Sequence, residues 1–201
     1  MEFLKERSSG IILGRWRRAT GIMTVFIALI RGINVGGQKR VGMAELVHLF
    51  QSLGFGSVRT YPQSGNVIFE STDSAFERLS AMIGENISRK TGFPVKVILR
   101  TAEEFRHIIA SNPLASDGLD ATKLHITFLS AIPPGKVGEN MMHGEDGPDR
   151  YVIIGREVCL FCPDGYGRTK FSNTFFERKL GVDATTRNWK TVTTLGAMAE
   201  E

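Results

Sequence analysis

The chain has 201 residues, 42% of them hydrophobic and 23% charged, which describes one large or two small globular domains. No run approaches the ~18 consecutive apolar residues of a membrane span, and two cysteines, Cys159 and Cys162, are too few for a disulfide framework, so a reducing, cytoplasmic interior is the expected setting. The formal charge of +4 is lopsided: residues 1–22 hold Lys5, Arg7, Arg15, Arg17 and Arg18 against Glu2 and Glu6, a net +3. The body, with 20 cations and 19 carboxylates, carries only +1, so the basic balance describes a tail and not a binding face.

The apolar patch at residues 11–13 is too short for a secretory signal, which needs ~7–15 residues, and residues 1–22 read as a disordered basic leader before Met23. Residues 24–30 are apolar on both faces, as a strand covered on both sides must be. Met43, Leu46, Val47, Phe50 and Leu53 recur at helical spacing and are followed by Gly54 as a stop. Residues 57–61 and 67–70 predict two strands joined by the turn chemistry of Pro62-Gln-Ser-Gly-Asn66. Phe76, Leu79, Met82, Ile83 and Ile87 predict a second amphipathic helix closed by Gly92 and Pro94, and residues 95–100 a fourth strand. Thr101 and Glu104 form a capping box for a further helix.

This order is βαββαβ followed by a helix, the ferredoxin-like unit. The polar, glycine-containing stretch after it marks a boundary, giving an N-terminal subdomain at 23–113, a linker at 114–122 and a C-terminal α+β subdomain at 123–201. The remainder repeats the grammar: a strand at 124–129, a weak helix at 134–142, a hairpin of 151–154 with 157–162, a helix at 171–180, a strand at 184–187 and a helix at 189–199. The expected fold is α+β, two ferredoxin-like halves packed together, because a first strand apolar on both faces needs a second layer.

Residues 31–42, Arg-Gly-Ile-Asn-Val-Gly-Gly-Gln-Lys-Arg-Val-Gly, are the stretch richest in possible chemistry. Glycine allows close approach of backbone N–H groups, and successive N–H groups can cradle an anion. The ferredoxin-like topology puts the exit of the first strand and the tip of the following hairpin at one end of the sheet. The candidate anion site is therefore Arg31, Asn34, Gly36, Gly37, Lys39 and Arg40 with Gln63, Ser64 and Asn66, and Arg187 and Asn188 as a possible second contribution. The competing structural reading has Asn34 and Asn66 satisfying loop backbone while Arg31 pairs with a carboxylate of the other half. A P-loop is disfavoured, since Gly32-x4-Gly37 is followed by Gln38-Lys39 and lacks the magnesium-binding hydroxyl.

Three motifs in order carry a family likeness: Arg31-Gly-Ile-Asn-Val-Gly-Gly37, Gln63-Ser-Gly-Asn-Val67 and Thr185-Thr-Arg-Asn-Trp189. With Cys162-Pro-Asp-Gly-Tyr-Gly-Arg168 and Phe175-Phe-Glu-Arg-Lys-Leu-Gly181, they make the chain resemble the bacterial domain-of-unknown-function 1697 family over residues 23–199. Ile30 stands where that pattern has Leu, and Pro62 stiffens the hairpin. The resemblance implies a compact two-part α+β fold and no established activity.

Residues 168–190 interleave Arg168, Lys170, Arg178, Lys179, Arg187 and Lys190 with Phe171, Phe175, Phe176 and Trp189, a pattern that could serve nucleic acid by phosphate contact and stacking. Helical i,i+4 spacing of the phenylalanines favours packing instead, and Asn188 reads as a helix N-cap. Cys159 and Cys162 lie on one strand with thiols on opposite faces and no second pair, so neither metal nor redox chemistry is expected of them. His48, His107, His125 and His143 have no ligand spacing, and no catalytic constellation emerges. The sequence thus points to a soluble binding protein for a small phosphate or carboxylate, without metal or cofactor. The alternatives are nucleic-acid binding through the C-terminal basic-aromatic face, and a protein-interaction or oligomerisation module.

Overall fold

The computed structural model describes residues 22–34, 41–61, 65–134, 142–143 by backbone alone, and 148–201. The first half runs β1 (Thr24–Ile30), α1 (Met43–Ser52), β2 (Gly56–Tyr61), β3 (Asn66–Ser71), α2 (Phe76–Thr91) and β4 (Val97–Thr101). Its sheet has the order β2-β3-β1-β4, with each neighbouring pair antiparallel. Alternate β1 residues face opposite ways. Phe26, Ala28 and Ile30 pack under α1 and α2, which present Leu46, Leu49 and Phe50 and Leu79, Ile83 and Ile87. Ile27 and Leu29 face the other half.

The chain crosses over through α3 (Ala102–Ser111), whose capping box pairs Thr101 with Glu104 as expected, then α4 (Pro113–Ser116) and a 3-10 turn, Ala121–Lys123. Leu114, within the expected linker, is fully buried in the core that the two halves share. The second half runs β5 (Leu124–Leu129), β6 (Met142–His143), β7 (Arg150–Ile154), β8 (Glu157–Phe161), α5 (Asn173–Leu180), β9 (Ala184–Asn188) and α6 (Trp189–Ala199). Its sheet order is β6-β7-β8-β5-β9, of which β7-β8-β5-β9 repeats β2-β3-β1-β4. Two similar α+β halves in a ferredoxin-like arrangement are what the strand and helix order predicts.

Local departures have local causes. The helix expected from residue 171 starts at Asn173, because the Ser172 hydroxyl accepts the Phe175 N–H and caps it, while Phe171 is drawn into the core. The fourth strand starts at Val97 because the N–H of Val95 donates to Ser88 Oγ at 2.8 Å and is held by α2. Met142 lies in β6 rather than ending a helix; residues 135–141 of that expected helix lie outside the described residues.

The two inner faces meet in one apolar layer. Ile27, Leu29, Ile68 and Ile98 pack with Ile126, Phe128 and Cys159, joined by Phe105 and Ile108 of α3 and Val192 and Leu195 of α6. Phe105 stacks on Phe128 with ring centroids 5.3 Å apart. Each such aliphatic or aromatic side chain contributes about 1.5–3 kcal/mol by leaving water, so this layer binds half to half.

An approximate internal two-fold relates the halves, and the register makes it explicit. The Ile30 N–H donates to the Gly65 carbonyl at 2.8 Å, and the Leu129 N–H donates to the Arg156 carbonyl at 2.8 Å. Arg31 N–H meets the Lys96 carbonyl and Ser130 N–H the Asp183 carbonyl, each at 2.9 Å. Ile27 stands opposite Arg100 as Ile126 stands opposite Arg187, and Leu29 opposite Asn66 as Phe128 opposite Glu157. Thr101 caps α3 onto Glu104, and Asn188 caps α6 onto Thr191.

Candidate functional site

The topology brings the exit of β1 and the start of β3 to one end of the first sheet, so Arg31, Asn34 and Asn66 share a neighbourhood. Arg31 forms a fork with Glu177 of α5, Nη1 to Oε1 at 2.6 Å and Nη2 to Oε2 at 2.8 Å. Glu177 Oε1 also accepts the Ala184 N–H at 3.1 Å, so the carboxylate ties α5, β9 and the first half together. Such a planar fork fits Arg and would not survive replacement by Lys. Asn34, at φ 57°, closes its own loop: its Nδ2 donates to the Val41 carbonyl at 3.1 Å and its Oδ1 accepts the Val41 N–H at 2.8 Å. Both outcomes match the structural reading of these two residues. Gly36, Gly37, Lys39, Arg40, Gln63 and Ser64 lie outside the described residues.

Asn66 is fully buried, and its Oδ1 accepts the Nε–H of Arg187 at 2.6 Å. Arg187 therefore joins the site from the other half, where sequence spacing could not put it. Its Nη1 donates to Thr185 Oγ1 at 2.8 Å and to the Thr186 carbonyl at 2.9 Å; its Nη2 donates to the Ile30 carbonyl at 3.0 Å and reaches the Gly65 carbonyl at 3.5 Å. All these acceptors are neutral. Among the described residues no carboxylate pairs with Arg187, and desolvation brings its guanidinium down to about 10, still charged at neutral pH. Asn188 turns away to cap α6 through the Thr191 N–H at 2.8 Å.

Arg100, the last residue of the strand expected at 95–100, is the matching residue at the other end of the two-fold. It is 1% exposed. Its Nε donates to Glu157 Oε1 at 2.7 Å, its Nη1 to the Leu99 carbonyl at 2.8 Å, and its Nη2 to the carbonyls of Leu129 at 2.8 Å and Arg156 at 3.1 Å. Each half thus sends one arginine into the first-strand exit and hairpin tip of the other. The available signal was positional: Arg100 shares a strand face with Ile98, which points into the layer between the halves.

The basic-aromatic stretch does not form a stacking platform. Phe171 and Phe176 are buried with Tyr151 and Leu180, Phe175 packs on them, and Trp189 packs on the layer between the halves. Lys179 donates to the Tyr151 hydroxyl at 3.1 Å and sits 5.4 Å from the Phe175 ring centroid. Cys159 and Cys162 are free and buried on opposite faces, with burial pushing the thiols up to about 12 and about 11. His48 and His107 are exposed, whereas His125 is buried against Tyr166, ring centroids 5.0 Å apart. Among the described residues no group of three His, Cys, Asp or Glu side chains could hold a metal ion, and no helix is long and apolar enough to cross a membrane. A cleft of about 640 Å³ opens along the seam beside Ser88, Lys96, Ser130 and Asp183, with Lys96 and Asp183 paired across it at 3.2 Å.

Comparison with known proteins agrees with the fold. Residues 23–159 match the family described as "Protein of unknown function (DUF1697)". The chain is similar to the conserved bacterial protein SP0830 from Streptococcus pneumoniae, at 25% identity and a TM-score of 0.66, over 88% of this chain and 99% of that one. No curated protein matches.

Proposed function

We propose a function for a chain that belongs to the DUF1697 family: it is a soluble binding protein that holds a small anion, a phosphate or carboxylate, where the glycine-rich stretch meets the β2–β3 hairpin. The observation that carries this reading is the charge of Arg187, which among the described residues meets neutral acceptors only. Arg31 is held by Glu177 and so frames the site rather than binding. Backbone N–H groups of Gly36 and Gly37, with Lys39, Arg40, Gln63 and Ser64, supply the contacts to the ligand, and the Arg187 charge favours its sign. The proposal extends to a bacterial, cytoplasmic setting, which is supported by two buried free thiols and by the bacterial source of SP0830.

The test is thermal unfolding of the full chain with phosphate, nucleotides, sugar phosphates and succinate, each against chloride at matched ionic strength. A ligand at about 100 times its Kd adds about 2.7 kcal/mol, which for a chain of this size raises Tm by roughly 5–10 °C. Lys39→Ala with Arg40→Ala lowers that response. A flat wild-type response to every anion refutes the proposal.

A further inference from the structure

Followed to the seam, the internal two-fold pairs residues whose chemistry differs. Arg31 and Ser130 are counterparts, each sending its N–H to the carbonyl just before the edge strand, Lys96 or Asp183, at 2.9 Å. Ser88 and Glu177 are counterparts too, since the glycine that ends each helix, Gly92 of α2 or Gly181 of α5, donates to the carbonyl of one or the other at 2.9 Å. Val97 matches Ala184 through their partners Ile30 and Leu129. On the α5 side Arg31 reaches across to Glu177, whose Oε1 also accepts the Ala184 N–H at 3.1 Å. On the α2 side short hydroxyls stand in place of both charges. Ser130 Oγ accepts the Asp183 N–H at 3.0 Å, and Ser88 Oγ accepts the Val95 N–H and donates to the Gly84 carbonyl. Each hydroxyl is used within its own half, and both line the cleft of about 640 Å³ at the seam.

The same exchange takes an acceptor away from the backbone. Arg31 and Lys96 form a hydrogen-bonded pair of β1 with β4, so the next residue, Val97, turns its N–H away from β1, to the free edge of the sheet along the cleft. Among the described residues no protein acceptor takes this N–H, whereas that of Ala184 has Glu177. We propose that the cleft binds a small monocarboxylate, whose carboxylate stands where Glu177 stands on the other side, accepting the Val97 N–H and the Ser130 hydroxyl beside the Lys96 ammonium. A cleft of this volume falls within the ~300–1,000 Å³ of small-molecule sites. Pro94, Val95 and Val97 give the hydrocarbon part an apolar wall. Arg89 and Lys96 are balanced around it by Glu85 and Asp183, so a second negative charge gains no net attraction, and one carboxylate is preferred to a dicarboxylate or a phosphate. None of the residues lining this cleft belongs to the anion site proposed above, so the two stand or fall separately.

The experiment follows the Val97 amide of the full chain by NMR. Its resonance is expected to move on titration with butyrate and to stay in place with butyramide, which has nearly the same shape and no charge. Lys96→Gln, at an exposed ion pair that contributes little to stability, is expected to fold and to bind butyrate about tenfold more weakly, the loss of one charge-assisted bond. Ser88→Glu with Ser130→Arg rebuilds on this side the pair that Arg31 and Glu177 make on the other, and its Val97 resonance is expected to be displaced already and to ignore butyrate. A Val97 amide that butyrate leaves unmoved, or that butyramide moves equally, overturns the proposal. So does wild-type affinity retained by Lys96→Gln, or succinate or phosphate binding at this amide more tightly than butyrate. Should the double variant fail to fold, the Lys96→Gln titration decides.

Discussion

Replacing Arg100 with Met tests how strongly the crossed arginines hold the halves together. The substitution keeps the length of the stem and removes the guanidinium from a position that is 1% exposed. It deletes one charge-assisted bond to Glu157, worth about 1.5–3 kcal/mol, and three bonds to the carbonyls of Leu99, Leu129 and Arg156. Glu157, whose side chain is 17% exposed, is left with its partner gone. Removing one member of a buried pair costs about 3–5 kcal/mol, a large part of the roughly 5–15 kcal/mol that holds a domain folded. The expected fall in Tm is about 6–20 °C at roughly 2–4 °C per kcal/mol. Equilibrium unfolding in urea measures the cost directly. Adding Glu157→Gln to the same chain removes the stranded charge, so the double variant is more stable than Arg100→Met alone. A loss below about 1 kcal/mol, or a double variant less stable than the single, refutes the account of Arg100 as a structural lock.

Gly65 sits at φ +65° with a Cβ position 2.8 Å from Ile33 Cγ1 and 3.1 Å from the Ile30 carbonyl. Gly65→Ala therefore combines backbone strain with overpacking and is expected to cost about 2–3 kcal/mol in urea unfolding. Burial holds the His125 imidazolium below its ordinary 6.5, outweighing the bond to the Lys123 carbonyl. Below pH 6.5 the unfolded chain takes up a proton that the folded chain refuses, so this contribution to stability is lost as pH falls from 6.5 through the folded pKa. His125→Gln flattens that part of a Tm-against-pH profile. Cys159 and Cys162, raised to about 12 and about 11 and buried, are expected to react with a disulfide reagent at pH 8 only as fast as the protein unfolds, read as equal rates of thiol modification and global unfolding.

Much of the scaffold was legible because its signals are local. The two-faced apolar run of β1 announced a covered sheet, Thr101 and Glu104 announced the start of α3, and Asn188 announced α6 to the residue. Arg31 and Asn34 were legible as residues with either a structural or a ligand role, and the structure shows the ion pair and the loop closure. What stayed hidden depends on partners far away in sequence. Arg100 meets Glu157 across 57 positions and Arg187 meets Asn66 across 121, and no periodicity within a strand encodes either distance. For the phenylalanines after Arg168, helical spacing favoured packing and they do pack, but spacing gives only the face of a helix, and the packed sheet reveals that Tyr151 is what lies against Phe171 and Phe176.

Because each guanidinium takes two of its carbonyl acceptors from the opposite half, neither half is a finished object. Severed between Ser116 and Ala121, a fragment would expose Ile27, Leu29, Ile68 and Ile98, or Ile126 and Phe128, together with an arginine that has lost its acceptors from the other half. The molecule is built like a dimer whose subunits happen to be covalently joined. Its two pieces are expected to melt in one cooperative step, and each, expressed alone, to need mixing with the other before it folds; a calorimetric trace with two separate transitions would refute this.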